Sequence, residues 1–359
     1  MANTSAIRYS QNAALASPSV GDLYLPVFGG QVLTRYSEYL GISSMVRRQQ
    51  IMSGNTARFP RLGGIGAERH AANTQLLGLS AESTELSISL DDRPMVSHFV
   101  IDDVDQMLTH FESRSHWAME CGQALAEAQD QNTLRLLINA SRETPTTMYG
   151  GSSSAFPGGG IDGAGTASTG AYSEATAVTA PTRADVGVFL TQLDAIQIRF
   201  DEMRVPFNDR TVCTTVKMWH ALRQYGSPRS NTDLENGMVP LFMADNGTYG
   251  ASANQQQFPV MSPDFQQGID FNGMQIYRTN IPVFGQNYST DGDEAKYQGD
   301  FTKTIGMCFQ ADACAVVEKM AITAEMDRQV SYQNDLFVAK MLSGGGTLRP
   351  ECAIEISND

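Results

Sequence analysis

The chain has 359 residues, a formal net charge of −14 and 42% hydrophobic side chains, which is enough to bury a full core in two or more domains and too apolar for global disorder. Its five lysines all lie at or after Lys217, against twenty arginines spread along the chain, so the first half can supply no Schiff base, no phosphate-loop lysine and no lysine crosslink. No apolar run is long enough to cross a bilayer, and the N-terminus MANTSAIRYSQNAALASPSV has neither the charged nor the apolar region of a signal peptide.

Residues 1–22 are small, polar and turn-rich, and are expected to form an extended or mobile arm. From Leu25 to Leu40 the set Val27, Val32, Leu33, Tyr36 and Leu40 keeps helical spacing despite Gly29 and Gly30, which predicts a short amphipathic helix. The stretch Ala57 to Ile101 is glycine-rich and polar in its middle and alternates with period two at Leu86, Ile88 and Leu90. It predicts a long two-stranded projection with too little apolar surface to stand alone. Asp102 or Asp103 then caps a predicted helix running to about Ser141, kinked around Glu112 to Ser115. Its apolar positions are Val104, Met107, Leu108, Phe111, Trp117, Cys121, Leu125, Leu134 and Leu137.

Residues 143–182 are rich in Gly, Ser, Thr and Ala and predict a flexible surface loop. A second helix follows from about Arg183 to Met203, with Val186, Phe189, Leu190, Leu193, Ile196 and Ile198 apolar. Beyond Pro206 come short strands and loops, and the class is α+β.

Charge is uneven. Residues 1–70 hold seven arginines against Asp22, Glu38 and Glu68, a net of +4 that leaves −18 for the remainder. A basic arm on an acidic body suits self-association in trans; the alternative is that Arg47, Arg48, Arg58, Arg61 and Arg69 are solvated surface. The acidic body argues against duplex DNA as a bound ligand.

The five cysteines, Cys121, Cys213, Cys308, Cys314 and Cys352, are odd in number with no C-x-x-C pair, so neither a disulfide framework nor a zinc ribbon is expected. They read as buried free thiols, with Cys308 and Cys314 flanking the end of one strand. No nucleophile elbow, phosphate loop or H-E-x-x-H is present. The run Gly158 to Gly163 fits G-x-G-x-x-G but follows no strand pattern, and a dinucleotide site needs that strand. The histidines His70, His98, His110, His116 and His220 are scattered, and the pairs Asp91/Asp92 and Asp102/Asp103 read as a turn and a helix cap. No catalytic group, metal or cofactor is expected.

In order, VFGGQVLTRY, SGNTARFPRLGG, DDVDQMLTHFESRSHWAMECGQALAEAQD, GMQIYRTNIP and AKMLSGGGTLRPECA resemble the major capsid proteins of T7-like short-tailed phages. The resemblance runs from about Leu25 to Ile356 and rests on the joint order of the segments. It implies the HK97 fold, with an N-terminal arm (1–52), an extended E-loop (53–101), a P-domain with its spine helix (102–205), an A-domain (206–303) and a return to the P-domain (304–359).

The implied role is a shell of pentamers and hexamers, expected as T=7, enclosing double-stranded DNA without sequence-specific binding and without a membrane. It further implies a separate scaffolding protein, since only about 24 residues precede the arm helix, together with a portal protein at one vertex and room for a decoration protein. Arg47, Arg48, Arg58, Arg61 and Arg69 are the candidate inter-subunit contacts. The lysine-to-asparagine crosslink of some members of the wider fold has no lysine here. Two other readings are a nanocompartment shell of the same fold around a cargo enzyme, and a cytosolic enzyme with the Gly/Ser-rich loop as its lid.

Overall fold

A computed structural model of the chain describes residues 20–62, 69–70, 75, 83–104, 113–143, 166–168, 183–225, 269–271, 273–290 and 294–357. The expected arm before residue 20, most of the Gly/Ser-rich stretch with its G-x-G-x-x-G run, and the kink around Glu112 lie outside the described residues.

The first helix, α1, spans Val20–Tyr39 and so begins earlier than its apolar pattern suggested. Phe28, Val32, Tyr36 and Leu40 recur every four residues on one buried stripe, whereas Val27 and Leu33 are 54% and 46% exposed. This stripe packs along α3 (Ser113–Ser141), a helix of 29 residues and hence about 40 Å long. The two run parallel: Gln31 bonds Ser115, and a Cβ on Gly122 would sit 2.5 Å from the Val32 carbonyl oxygen, so the axes meet closely only because position 122 has no side chain.

A one-turn helix, α2 (Ile42–Met45), follows the elbow at Gly41. Its first amides are satisfied from α3, where the buried Asp130 carboxylate accepts Gly41 N–H and Ser43 N–H, both at 2.7 Å. Burial is the main cause that pushes the Asp130 carboxyl up to about 7, against these amide bonds, which pull it down.

The chain then enters β1 (Arg47–Gln50), which runs parallel to β10 (Cys314–Gln329) at one edge of a four-stranded sheet. Its centre is the antiparallel hairpin of β10 with β11 (Asn334–Thr347), strands of 16 and 14 residues. The other edge is β4 (Met95–Asp102), paired with β11. Residues 95–101 therefore belong to this sheet and not to the two-stranded projection, whose expected range ran from Ala57 to Ile101. Phe99 and Phe337 are register partners with rings stacked at 4.9 Å, and Phe28 from α1 meets Phe337 edge-on at 5.4 Å.

The projection itself is β2 (Thr56–Leu62) against β3 (Ser83–Ser89), in seven antiparallel pairs. Its apolar residues Ala57, Phe59 and Ile88 join Ile51, Leu90, Ala315, Val317 and Leu348 in a small core at its root.

A second sheet has the order β5-β12-β9-β6-β8-β7 among the described residues. It consists of β5 (Thr166–Ser168), β6 (Arg210–Thr215), β7 (Ile269–Phe271), β8 (Met274–Thr279), β9 (Thr304–Gln310) and β12 (Ala353–Ser357). Every position of β9 is buried, as a central strand covered on both faces requires. Two helices pack with it: α4 (Arg183–Glu202), buried through Phe189, Leu193, Ile196 and Phe200, and α5 (Val216–Tyr225), through Met218, Trp219 and Leu222. Ile198, counted with the apolar face of α4 on sequence, is 61% exposed, and Phe200 takes the buried position.

The spine α3 connects two cores. Ala118, Cys121, Leu125 and Ala126 pack with α1 and the four-stranded sheet, while Leu134, Leu136, Leu137, Ile138 and Ala140 enter the core of the second sheet. Trp117, placed in its apolar set on sequence, is 49% exposed. All five cysteines are free and buried. Cys308 lies inside β9 and Cys314 opens β10, so the two flank the end of β9 as expected and sit in different sheets joined by a tight turn.

Candidate assembly surface

Three segments without a core of their own meet along the four-stranded sheet: α1, β1 and the β2–β3 hairpin. The hairpin is seated on the glycine run at the end of β11. A Cβ on Gly344 would meet the Ser89 carbonyl oxygen at 2.5 Å and Leu90 Cα at 2.7 Å, and one on Gly346 would meet the Ile88 side chain at 2.8 Å. Leu90 N–H to Asn55 O (2.9 Å) and Asp91 N–H to Ser343 O (3.1 Å) fasten the same seat. The hairpin root thus lies directly on backbone.

The structure places the five candidate arginines unequally. Arg47 on β1 reaches Asp312 at 3.6 Å and lies over the Phe59 ring, while Arg48 forms an ion pair with Glu318. Arg58 faces outward on β2, paired at 3.4 Å with Glu85 of the adjacent strand, both side chains more than half exposed. Arg61 donates to the Thr347 carbonyl at 3.2 Å. Arg69 is exposed. Arg48 thus ties β1 to β10 within the subunit, and Arg47 ties it to the turn before β10. The hairpin is not basic either: from residue 56 to 89, Arg58, Arg61 and Arg69 are balanced by Glu68, Glu82 and Glu85. The +4 of residues 1–70 came from a boundary that stops short of Glu82 and Glu85.

An ion pair between the exposed Arg142 and a buried carboxylate fixes the end of the spine. Arg142 Nε and Nη2 each donate to Glu355 at 2.8 Å, Thr304 Oγ1 donates to the same carboxylate, and Glu355 is 1% exposed. Removing the arginine strands a carboxylate in the second core. Arg142→Met is expected to lower stability by on the order of 3 kcal/mol, read as a fall in the thermal unfolding midpoint, and Glu355→Gln added to it should recover part of the loss. A midpoint unchanged by Arg142→Met would show that water can hydrate Glu355.

No catalytic constellation emerges among the described residues. His70, His98, His116 and His220 are exposed and His110 lies outside the described residues. Asp91 pairs with Lys296 at 2.5 Å, and Asp103, at which a helix begins as the sequence reading expected, pairs with Arg328. No group of three or more His, Cys, Asp or Glu among the described residues could hold a metal, and no helix among them is long and apolar enough to cross a membrane.

Comparison with known families gives a match to the family model described as "Gp10A-like: Major capsid protein" over residues 58–233 and 272–357. The chain belongs to this capsid protein family. This capsid protein is 24% identical over 335 residues to the major capsid protein of Enterobacteria phage T3, covering 92% of this chain and 90% of that one. Against the major capsid protein of Escherichia phage T7 the identity is 24% over 342 residues, with the same coverage.

Among solved structures, the capsid of Cyanophage P-SCSP1u superposes with a TM-score of 0.62 at 27% identity, over 100% of this chain and 99% of that one. The mature capsid of bacteriophage PhiM1 gives 0.60 at 14%, over 89% and 86%. The capsid protein thus has the α+β HK97-type fold of phage heads and is a structural component of the virion, not an enzyme. The three expected readings resolve to the phage shell.

Proposed function

We propose that the chain builds the head of a short-tailed phage as pentamers and hexamers on a T=7 lattice, enclosing double-stranded DNA without reading its sequence. In this reading 1–52 is the arm, 53–101 the E-loop, 102–205 with 304–359 the P-domain, and 206–303 the A-domain. A separate scaffolding protein shapes the precursor, a portal protein occupies one vertex, and a decoration protein can bind outside. The observation that carries the reading is the β2–β3 hairpin, of whose described strands Ala57, Phe59 and Ile88 are buried in the small core at the root. A two-stranded ribbon of this kind is marginal alone and is stabilised by lying on another surface, which in a shell is the next copy.

Expression with a scaffolding protein, followed by electron microscopy scored for closed shells and for a portal at one vertex, tests the assignment. On the exposed hairpin, an ion pair such as Arg58 with Glu85 contributes at most about 1 kcal/mol within the subunit. Arg58→Glu with Arg61→Glu is therefore expected to leave subunit folding intact while abolishing or misdirecting assembly, because a shell repeats each lost contact many times. Raised salt should weaken the wild-type precursor shell for the same reason. Normal shells from the double variant, together with assembly indifferent to salt, would show that these arginines are solvated surface.

A further inference from the structure

A cavity of about 690 Å³ opens beneath the hairpin root, between β2 and β3, the end of α3, the turn at Ala295–Tyr297 and the glycine-rich end of β11. Arg61, Arg142 and Lys296 line it. Two of these cations are neutralised from the interior side, Arg142 by Glu355 at 2.8 Å and Lys296 by Asp91 at 2.5 Å. Arg61 is not. Its one hydrogen-bond partner among the described residues is the Thr347 carbonyl at 3.2 Å, and its Nε is buried without a partner among them. Burial is the main cause that lowers its guanidinium from the ordinary arginine value, and Glu351 and Glu143 oppose this only through space, with no salt bridge to it.

A half-buried guanidinium with a single neutral acceptor is an unfavourable arrangement for an isolated subunit. It suits an incoming carboxylate, whose two oxygens match the planar fork. Gly345 and Gly346 contribute bare backbone to the wall, and a Cβ on them would meet Leu136 and Ile88, each at 2.8 Å. The body of the chain is the nearest source of such groups, since everything beyond residue 70 carries a net −18.

We propose that this cavity is a socket for a carboxylate side chain from a second copy of the chain, and that Arg61 is the residue that receives it. The proposal rests on the reading of the hairpin as a contact between copies.

The test uses the full chain with Arg61→Gln and Arg61→Lys, in two states. In the unassembled subunit, Arg61→Gln is expected to leave the unfolding midpoint unchanged or to raise it, because it removes a desolvated and poorly satisfied charge. In assembly with a scaffolding protein, the same variant should lower the yield of closed shells at least tenfold, and Arg61→Lys should recover only part, since a point charge lacks the fork. Electron cryomicroscopy of the wild-type particle should show an Asp or Glu of the adjacent copy on the Arg61 guanidinium. A midpoint several degrees lower in Arg61→Gln would make Arg61 a structural residue and overturn the proposal. So would a cavity filled by its own chain, or a carboxylate from a different protein. If a variant with a shortened hairpin still closes normal shells, the parent reading fails; if that variant fails while Arg61→Gln assembles normally, only the socket fails.

Discussion

Gly344→Val is expected to abolish particles and to destabilise the subunit, although it touches no charge and no large side chain. The ideal Cβ lies 2.5 Å from the Ser89 carbonyl oxygen, 2.7 Å from Leu90 Cα and 3.1 Å from Asp91 N, so all three obstacles are backbone atoms. Flexible side chains can rotate away from such a contact. Here either β11 or the hairpin root must move, and β11 is held by β10, where Gly344 pairs with Val317. The root therefore lifts, and it takes Phe59, Ile88 and Leu90 out of their small core. Overpacking of this kind costs about 1–3 kcal/mol, and the displaced hairpin no longer points where a neighbour expects it. Gly30→Ala is the control. It also replaces a glycine, but nothing lies within 4 Å of its Cβ, and in the exposed interior of α1 alanine should gain about 0.5–1 kcal/mol of helix propensity. Thermal unfolding of the subunits and particle counts by electron microscopy check both; a Gly344→Val variant that assembles as well as Gly30→Ala would show that the glycine seat is not needed.

What was legible in the sequence was periodicity, and what was not was pairing. The phase of Val32, Tyr36 and Leu40 marks α1 correctly, because its buried stripe recurs every four residues. Val27 and Leu33 are apolar at plausible spacing yet face outward, which composition cannot reveal. The alternation at Leu86, Ile88 and Leu90 identifies β3, but a period of two does not say where one strand's sheet ends and the next begins, so β4 was read into the projection with it. The long β10–β11 hairpin was obscured by register shifts between Glu318, Met320 and Thr323 and by the glycines at its far end. Those glycines are among the segments that carry the family resemblance, and their physical reason, close backbone approach, appears only in three dimensions.

The candidate arginines show the limit of counting charges. Arg48 and Glu318 are 270 positions apart in sequence and form one pair in the structure, which no tally over a window can anticipate. Arg47 and Arg48 stay exposed despite their ion pairs, while Arg58, Arg61 and Arg69 stand in a different setting. They lie on or beside a projecting hairpin of balanced charge, so orientation and burial set their role. Arg61 is the clearest instance, because among the described residues its guanidinium has the Thr347 carbonyl as acceptor and its Nε has none.

Replacing residues 63–82 by a two-residue Asn-Gly turn is expected to separate folding from assembly most completely. The seven pairs from Thr56/Ser89 to Leu62/Ser83 remain, and Leu62 opposite Ser83 is the geometry that a two-residue loop closes. The root core of Phe59, Ile88, Leu90, Ala315 and Val317 contains none of the removed residues. Loop closure favours the shorter connection by about 2 kcal/mol at most, so the unassembled subunit should unfold at the same temperature as wild type or slightly above it, with unchanged helix content. The shell should fail, because in the proposed reading the removed stretch belongs to the E-loop that reaches over the next copy. Circular dichroism and thermal unfolding read the first half of this expectation, and sedimentation with electron microscopy reads the second. Closed shells at normal yield from the shortened chain would mean that neighbouring copies are held together by other elements, with α1 and the tip of the β10–β11 hairpin the first to examine.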